Sequence, residues 1–391
     1  MAKNKRIYQF SAPMPYTVED IDKLLDINNQ VEKSAITSLY GCLPSNCELF
    51  TGFEQSRNYM FKYKKWDYWK KLIEYVLYKN CDFIYLLNSP RPLDINNHDF
   101  LNNIEKLEIL LCELQKIGIK KLRICSAQLQ TYISKYYKNF EILASTATEY
   151  KTIAEYQNFI AFHPEVKQIV PSHDVNKNFK LLSTLRKKYT DVDLEIIVNE
   201  GCLQGCPNRM LHESINIEKR KVFKNDLCLS NGYATFFCKQ VTAKYPIPSL
   251  IFGTHIFPWE LKEYSKIGIN KFKLVGRDTY QLSSRKQIIK FGTYLKGVDN
   301  INNIENCTPS DLTHHFDKIT ILRQLKIKDY KKYFPDINYF KKYGHLCASR
   351  CGVECRYCYK CAEKIEKVFK KKQEEMKKRM MPICVINKQT V

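Results

Sequence analysis

Nowhere in the 391 residues do eighteen apolar side chains run together, so no helix of the length a bilayer needs is expected, and no membrane partner. The opening stretch, MAKNKRIYQFSAP, has no apolar run leading to small residues; this excludes a secretory signal and implies a cytoplasmic chain. No Gly-rich dinucleotide loop follows the first apolar run, which disfavours an open doubly wound sheet. A His-Glu zinc pair at helical spacing is missing, as is a Gly-x-Ser-x-Gly elbow, so the common metallopeptidase and serine hydrolase signatures are both absent. An aromatic-and-Gly RNA-recognition signature is absent too.

What is abundant is cysteine and positive charge. Sixteen Cys in a chain with no export signal are expected to stay reduced, which points away from a disulfide framework and toward metal binding. Lys and Arg outnumber Asp and Glu by 63 to 41, a net charge of +22. That surplus favours polyanions such as RNA, or an anionic small molecule, through steering and counterion release. Spread among many Asn, Ile and Tyr, it identifies no partner by itself.

Eight short apolar runs rich in β-branched residues recur over the first three quarters of the chain, at 6–10, 35–40, 82–87, 121–125, 141–145, 168–171, 194–198 and 271–275. Amphipathic stretches at 18–27, 66–78, 100–117 and 176–188 separate several of them. Strand then helix, eight times, is the arithmetic of a (β/α)8 TIM-like barrel, here residues 1–298. The longest interval, 200–258, follows the seventh run and holds four Cys; a barrel's active-site loops sit at such strand ends. Residues 299–391 form a Cys-rich, mainly helical appendage, whose last stretch, 361–381, is rich in Lys and Glu and is expected to be a solvated helix.

Two cysteine groups carry the chemistry. In EIIVNEGCLQGCPNRMLH a strand runs straight into Cys202 and Cys206, with Gly201 and Gly205 permitting a tight turn that brings both thiolates to one metal. Four thiolates fill a cluster, and Cys228 and Cys238 are the nearest supply; small buried hydrophobes are the plainer reading of both. The second group is Cys347, Cys351, Cys355, Cys358 and Cys361, five thiols in fifteen residues, expected to hold zinc or a second cluster. Within it CGVECRYC has the spacing of radical S-adenosylmethionine enzymes. That motif, however, opens a barrel that follows it, so here it has none to serve unless the tail folds back over the barrel mouth. Cys42, Cys47, Cys81, Cys112 and Cys125 lack close spacing and are expected to be core thiols. Candidate acting residues are Glu200 at the seventh strand's end, Lys273 and Arg277 at the eighth's, and His212; salt bridges, loop caps or surface roles are the alternatives.

The segment PWELKEYSKIGINKFKLVGRD, 258–278, resembles a signature of the collagenase-like (U32) peptidase family. SLYGCLPSN, FIYLLN, ILASTATEY and IVPSHDVN echo it in order, over about residues 6–296. The resemblance implies a barrel with a four-iron cluster held by four Cys near its mouth, an electron donor, and oxygen-independent hydroxylation of RNA or of a small molecule. The three-residue gap between Cys202 and Cys206 departs from the longer gap of many members. The family name also implies a metal-dependent peptidase. A non-enzymatic RNA-binding scaffold is the third possibility.

Overall fold

The computed structural model describes residues 6–42, 66–88, 100–209, 238, 240–276, 281–313, 320–348 and 353–386. Eight parallel strands close on themselves in chain order: β1 Tyr8–Pro13, β2 Ser34–Gly41, β3 Asp82–Leu87, β4 Lys121–Ile124, β5 Glu141–Ala144, β6 Val166–Ile169, β7 Asp193–Ile197 and β8 Lys271–Lys273, with β8 returning to β1. Every predicted strand is present, most within two residues of its expected ends. β1 starts later than expected because Ile7 and Tyr8 both donate to the Lys33 carbonyl, which sets its register on β2.

Alternation sorts the side chains. Phe83, Tyr85 and Leu87 of β3 join the large core between barrel and helices, whereas Ile84 and Leu86 join Tyr40, Cys42 and Leu143 in a separate cluster inside the barrel. Charge also enters this interior: Arg123 of β4 and Glu195 of β7, 0% and 3% exposed, pair at 2.5 Å. A buried pair like this is tolerated because each ion answers the other. Cys42, Cys81 and Cys125 are buried as expected; Cys112, on the helix Phe100–Lys116, is exposed instead, since it falls on that helix's outer face. Cys47 lies outside the described residues.

The appendage folds back against the barrel. Its turn at Gly344–Ala348 packs on the 173–175 turn that follows β6, so tightly that a Cβ on Gly344 would collide with the Lys177 carbonyl. Lys177 in turn lies over the Phe340 ring at 5.0 Å. Phe334 completes a stack with Phe257 and Trp259, the first two rings 5.1 Å apart. The closing helix, Tyr357–Ile386, packs on the helix Pro246–Ile251. The expected solvated helix is therefore corrected: Cys361, Ala362, Ile365 and Phe369 form a buried stripe on it, and its Lys and Glu residues from Glu363 to Glu375 occupy the other faces. No helix among the described residues is long and apolar enough to cross a membrane.

Candidate functional site at the barrel mouth

The excursion after β7 is pinned from its first residues. Asn199 donates to the Val275 carbonyl at 2.9 Å and accepts from the Val275 amide at 2.7 Å, so its side chain extends the β7–β8 pairing. Beyond it, Leu203 bridges Gly253 in antiparallel fashion, the Thr254 amide donates to the Cys202 carbonyl at 2.8 Å, and the Gln204 amide to the Phe252 carbonyl at 3.1 Å. Gly253 is required there, because a Cβ would meet the His255 ring. Gly205 takes the left-handed conformation, φ 62°, that the cysteine spacing anticipates.

Across the mouth stands the 3-10 turn His173–Val175, just past β6. Asp174, 5% exposed, is its hub. Its Oδ1 accepts from the Gly205 amide at 2.8 Å and pairs with Arg209 at 3.0 Å; its Oδ2 pairs with Lys151 at 2.9 Å; its carbonyl accepts from Gln204 Nε2 at 2.7 Å. Ser172 donates to Glu149 at 2.8 Å, and Glu149 in turn lies near Lys151 and Arg209.

Burial by itself would raise the Asp174 pKa, but Arg209, the Gly205 amide and Lys151 outweigh it and hold the carboxyl below its usual range. Arg209 shows the converse. Burial opposes its charge, and Asp174, Cys202, Glu149 and Cys206 together keep it firmly protonated. His173, 4% exposed, is pushed down to about 4 by burial first and by Arg209 next, against the opposing pull of Glu200 and Asp174. Its Nδ1 has no hydrogen-bond partner.

The structure thus brings Cys202, Cys206, Glu200 and Lys273 to one mouth. Cys202, Cys206 and Glu200 are half-buried; Lys273 ends β8 with its ammonium 4.4 Å from the Tyr40 ring centre. Cys238 is half-buried, while Cys228, His212 and Arg277 lie outside the described residues. Among the described residues no three of His, Cys, Asp and Glu converge as a metal-ligand set. Cys202 and Cys206 are soft thiol donors of the kind a thiophilic centre takes.

Of the appendage thiols, Cys347 lines a cleft of about 650 Å³ together with Leu203, Gln204 and Gly205, the residues between Cys202 and Cys206. The tail does fold back beside the mouth. Cys355 and Cys361 are buried, Cys358 is half-buried, and Cys351 lies outside the described residues. Glu149, Lys151, His173, Asp174 and Arg209 were not anticipated as site residues. The only signal for two of them was SHD inside IVPSHDVN, a polar triplet directly after a strand.

No protein-family profile matches the chain. It is 22% identical over 356 residues to an uncharacterized protease of Methanocaldococcus jannaschii, covering 90% of this chain and 95% of that one. Among solved structures it is similar to a U32 peptidase, at 10% identity and a TM-score of 0.44, over 69% of this chain and 93% of the other. It is also similar to N-acetylneuraminate lyase from Fusobacterium nucleatum, at 14% identity and a TM-score of 0.32, over 75% and 99%.

Proposed function

We propose that this U32-peptidase-like chain is a redox enzyme that holds an iron–sulfur cluster at the β7 end of its barrel and acts on an anionic substrate, RNA suiting its charge. The observation that carries the reading is the turn at the end of β7 that sets two half-buried thiols, Cys202 and Cys206, four residues apart and is closed by Arg209 on the Leu203 and Cys206 carbonyls. Thiolates are the ligands such clusters take, and a fixed cation beside them offsets the negative charge they bring together. Cys228 and Cys238 of the same excursion would complete the set. A four-iron cluster, when bound, supplies one-electron transfer at the mouth, fed by an external donor.

The chain's own groups bind and orient. Lys273 presents an ammonium for a substrate phosphate or carboxylate, and Arg277 is proposed to add a second cation there. Glu200, half-buried past the end of β7, is proposed to hold a proton for the reaction, while His173, neutral near pH 7, stays buried. His212 is a further candidate. RNA is favoured by where the charge lies: residues 320–391 contain 19 Lys and Arg against 7 Asp and Glu, a net +12 of the total +22. Zinc or a second cluster in the appendage cysteines is a separate proposal, with a structural role.

Peptide hydrolysis is the second reading, favoured by the name of the Methanocaldococcus jannaschii relative. It calls for zinc with His or carboxylate ligands and an open position, whereas the paired donors at this rim are thiols. Protein purified without oxygen separates the two. The redox reading expects a visible chromophore that bleaches on reduction, and RNA binding that weakens with salt. A colourless protein that cleaves peptides when given zinc would replace it with the peptidase reading.

A further inference from the structure

The turn that carries Cys202 and Cys206 is held from two sides, and the two sides do different work. Its Cys202 half is tied to the returning strand-like segment at 252–254 through the Thr254 and Gln204 amides. Among the described residues its Cys206 half receives no such pairing. Instead two of its residues reach the Asp174 carboxylate, Gly205 through its amide and Arg209 through its guanidinium, while the Gln204 side chain donates to the Asp174 backbone carbonyl. Arg209 also closes the turn on itself, donating from its side chain to the Leu203 carbonyl at 2.6 Å and from its amide to the Cys206 carbonyl at 3.2 Å.

We propose that Asp174 is the positioning residue of this turn, fixing Cys206 relative to Cys202 from the end of β6. One carboxylate oxygen both orients the Gly205 amide and anchors Arg209; the other is engaged by Lys151, which stops the carboxylate from rotating away. With Asp174 gone, Arg209 keeps its Leu203 bond and the longer Glu149 pair but loses its tie to the end of β6, and the left-handed Gly205 loses its acceptor, so the Cys206 side loosens while the Cys202 side keeps its pairing. The consequence for a metal rests on the cluster reading above. The consequence for backbone order does not.

The test compares wild type with Asp174→Ala and Asp174→Asn by hydrogen exchange of single amides in metal-free full-length protein, and by iron and acid-labile sulfide retention after anaerobic loading. Asp174→Ala should speed exchange at Gly205 by about tenfold or more and leave the Thr254 and Gln204 amides as protected as in wild type. Asp174→Asn keeps an acceptor for Gly205 but loses the charge that holds Arg209, so it should recover part of the protection. Iron retention should fall about 10- to 100-fold in Asp174→Ala, the usual effect of losing an outer partner of a ligand. Unchanged Gly205 exchange in both variants overturns the assignment, and so does an equal loss at Thr254, which would mark general unfolding. Should wild type itself take up no iron, the cluster reading falls while the exchange pattern still decides for or against Asp174.

Discussion

Asp174 and Glu260 are equally buried, each 5% exposed, and the protein drives them in opposite directions. At the mouth, Arg209 and Lys151 hold Asp174 ionised below its usual range. At the seam between barrel and appendage, burial pushes Glu260 up to about 7, with Asp336 adding to the shift while Lys177 and the Phe257 amide only partly oppose it. The cysteines divide the same way. Cys202 and Cys206 lie half-buried in the turn that the Arg209 side chain and amide close. Cys361 is buried and its thiol pushed up, chiefly by desolvation, and Cys355 lies 3.4 Å from the hydroxyl of Tyr339, whose ring stacks on Tyr357 at 3.8 Å. Dense cysteine alone therefore does not define a redox site. Charged partners outweigh burial at Asp174, whereas burial dominates at Glu260 and Cys361.

Three changes would break or sharpen this contrast. The largest effect is expected from Arg123→Ala, which leaves Glu195 charged inside the barrel without its partner. A loss of about 3–5 kcal/mol in denaturant unfolding is expected, and a change near zero would mean that water already serves the interior.

Next is Glu260→Gln. Because the folded pKa of about 7 stands above the ordinary 4.5, the folded state binds the proton more tightly. Its stabilising effect is complete below about pH 4.5 and is lost as pH rises through 7. The variant should thus exceed wild type by about 1–3 kcal/mol at pH 8 and match it at pH 4, provided the glutamine keeps the Phe257 hydrogen bond. A pH-independent difference would remove Glu260 from the contrast.

The smallest effect distinguishes the thiols. In metal-free protein Cys361→Ala should cost about 1–2 kcal/mol as a buried side chain, and Cys206→Ala about 0.5 kcal/mol or less. Equal costs in thermal unfolding would erase the distinction.

The strands were legible because each is a short β-branched run bounded by turn residues, and barrel closure followed from their number. Cys202 and Cys206 stood out as candidates because strand, glycines and thiols are contiguous in the sequence. The network around them did not. Glu149, Asp174 and Arg209 are separated by 25 and 35 residues and meet only because β5, β6 and β7 are neighbours in the closed sheet. The terminal helix misled for a different reason: its buried stripe of Cys361, Ala362, Ile365 and Phe369 contains two weakly apolar residues, outnumbered in the sequence by Lys and Glu. Its partner, the helix Pro246–Ile251, lies over a hundred residues away.

The most direct test of the central claim is iron, zinc and acid-labile sulfide content of protein purified without oxygen, for wild type and for Cys202→Ala with Cys206→Ala. The account predicts about four irons and four sulfides in wild type, lost in the double variant while any appendage zinc stays. Zinc alone, unchanged by the double substitution, would contradict it.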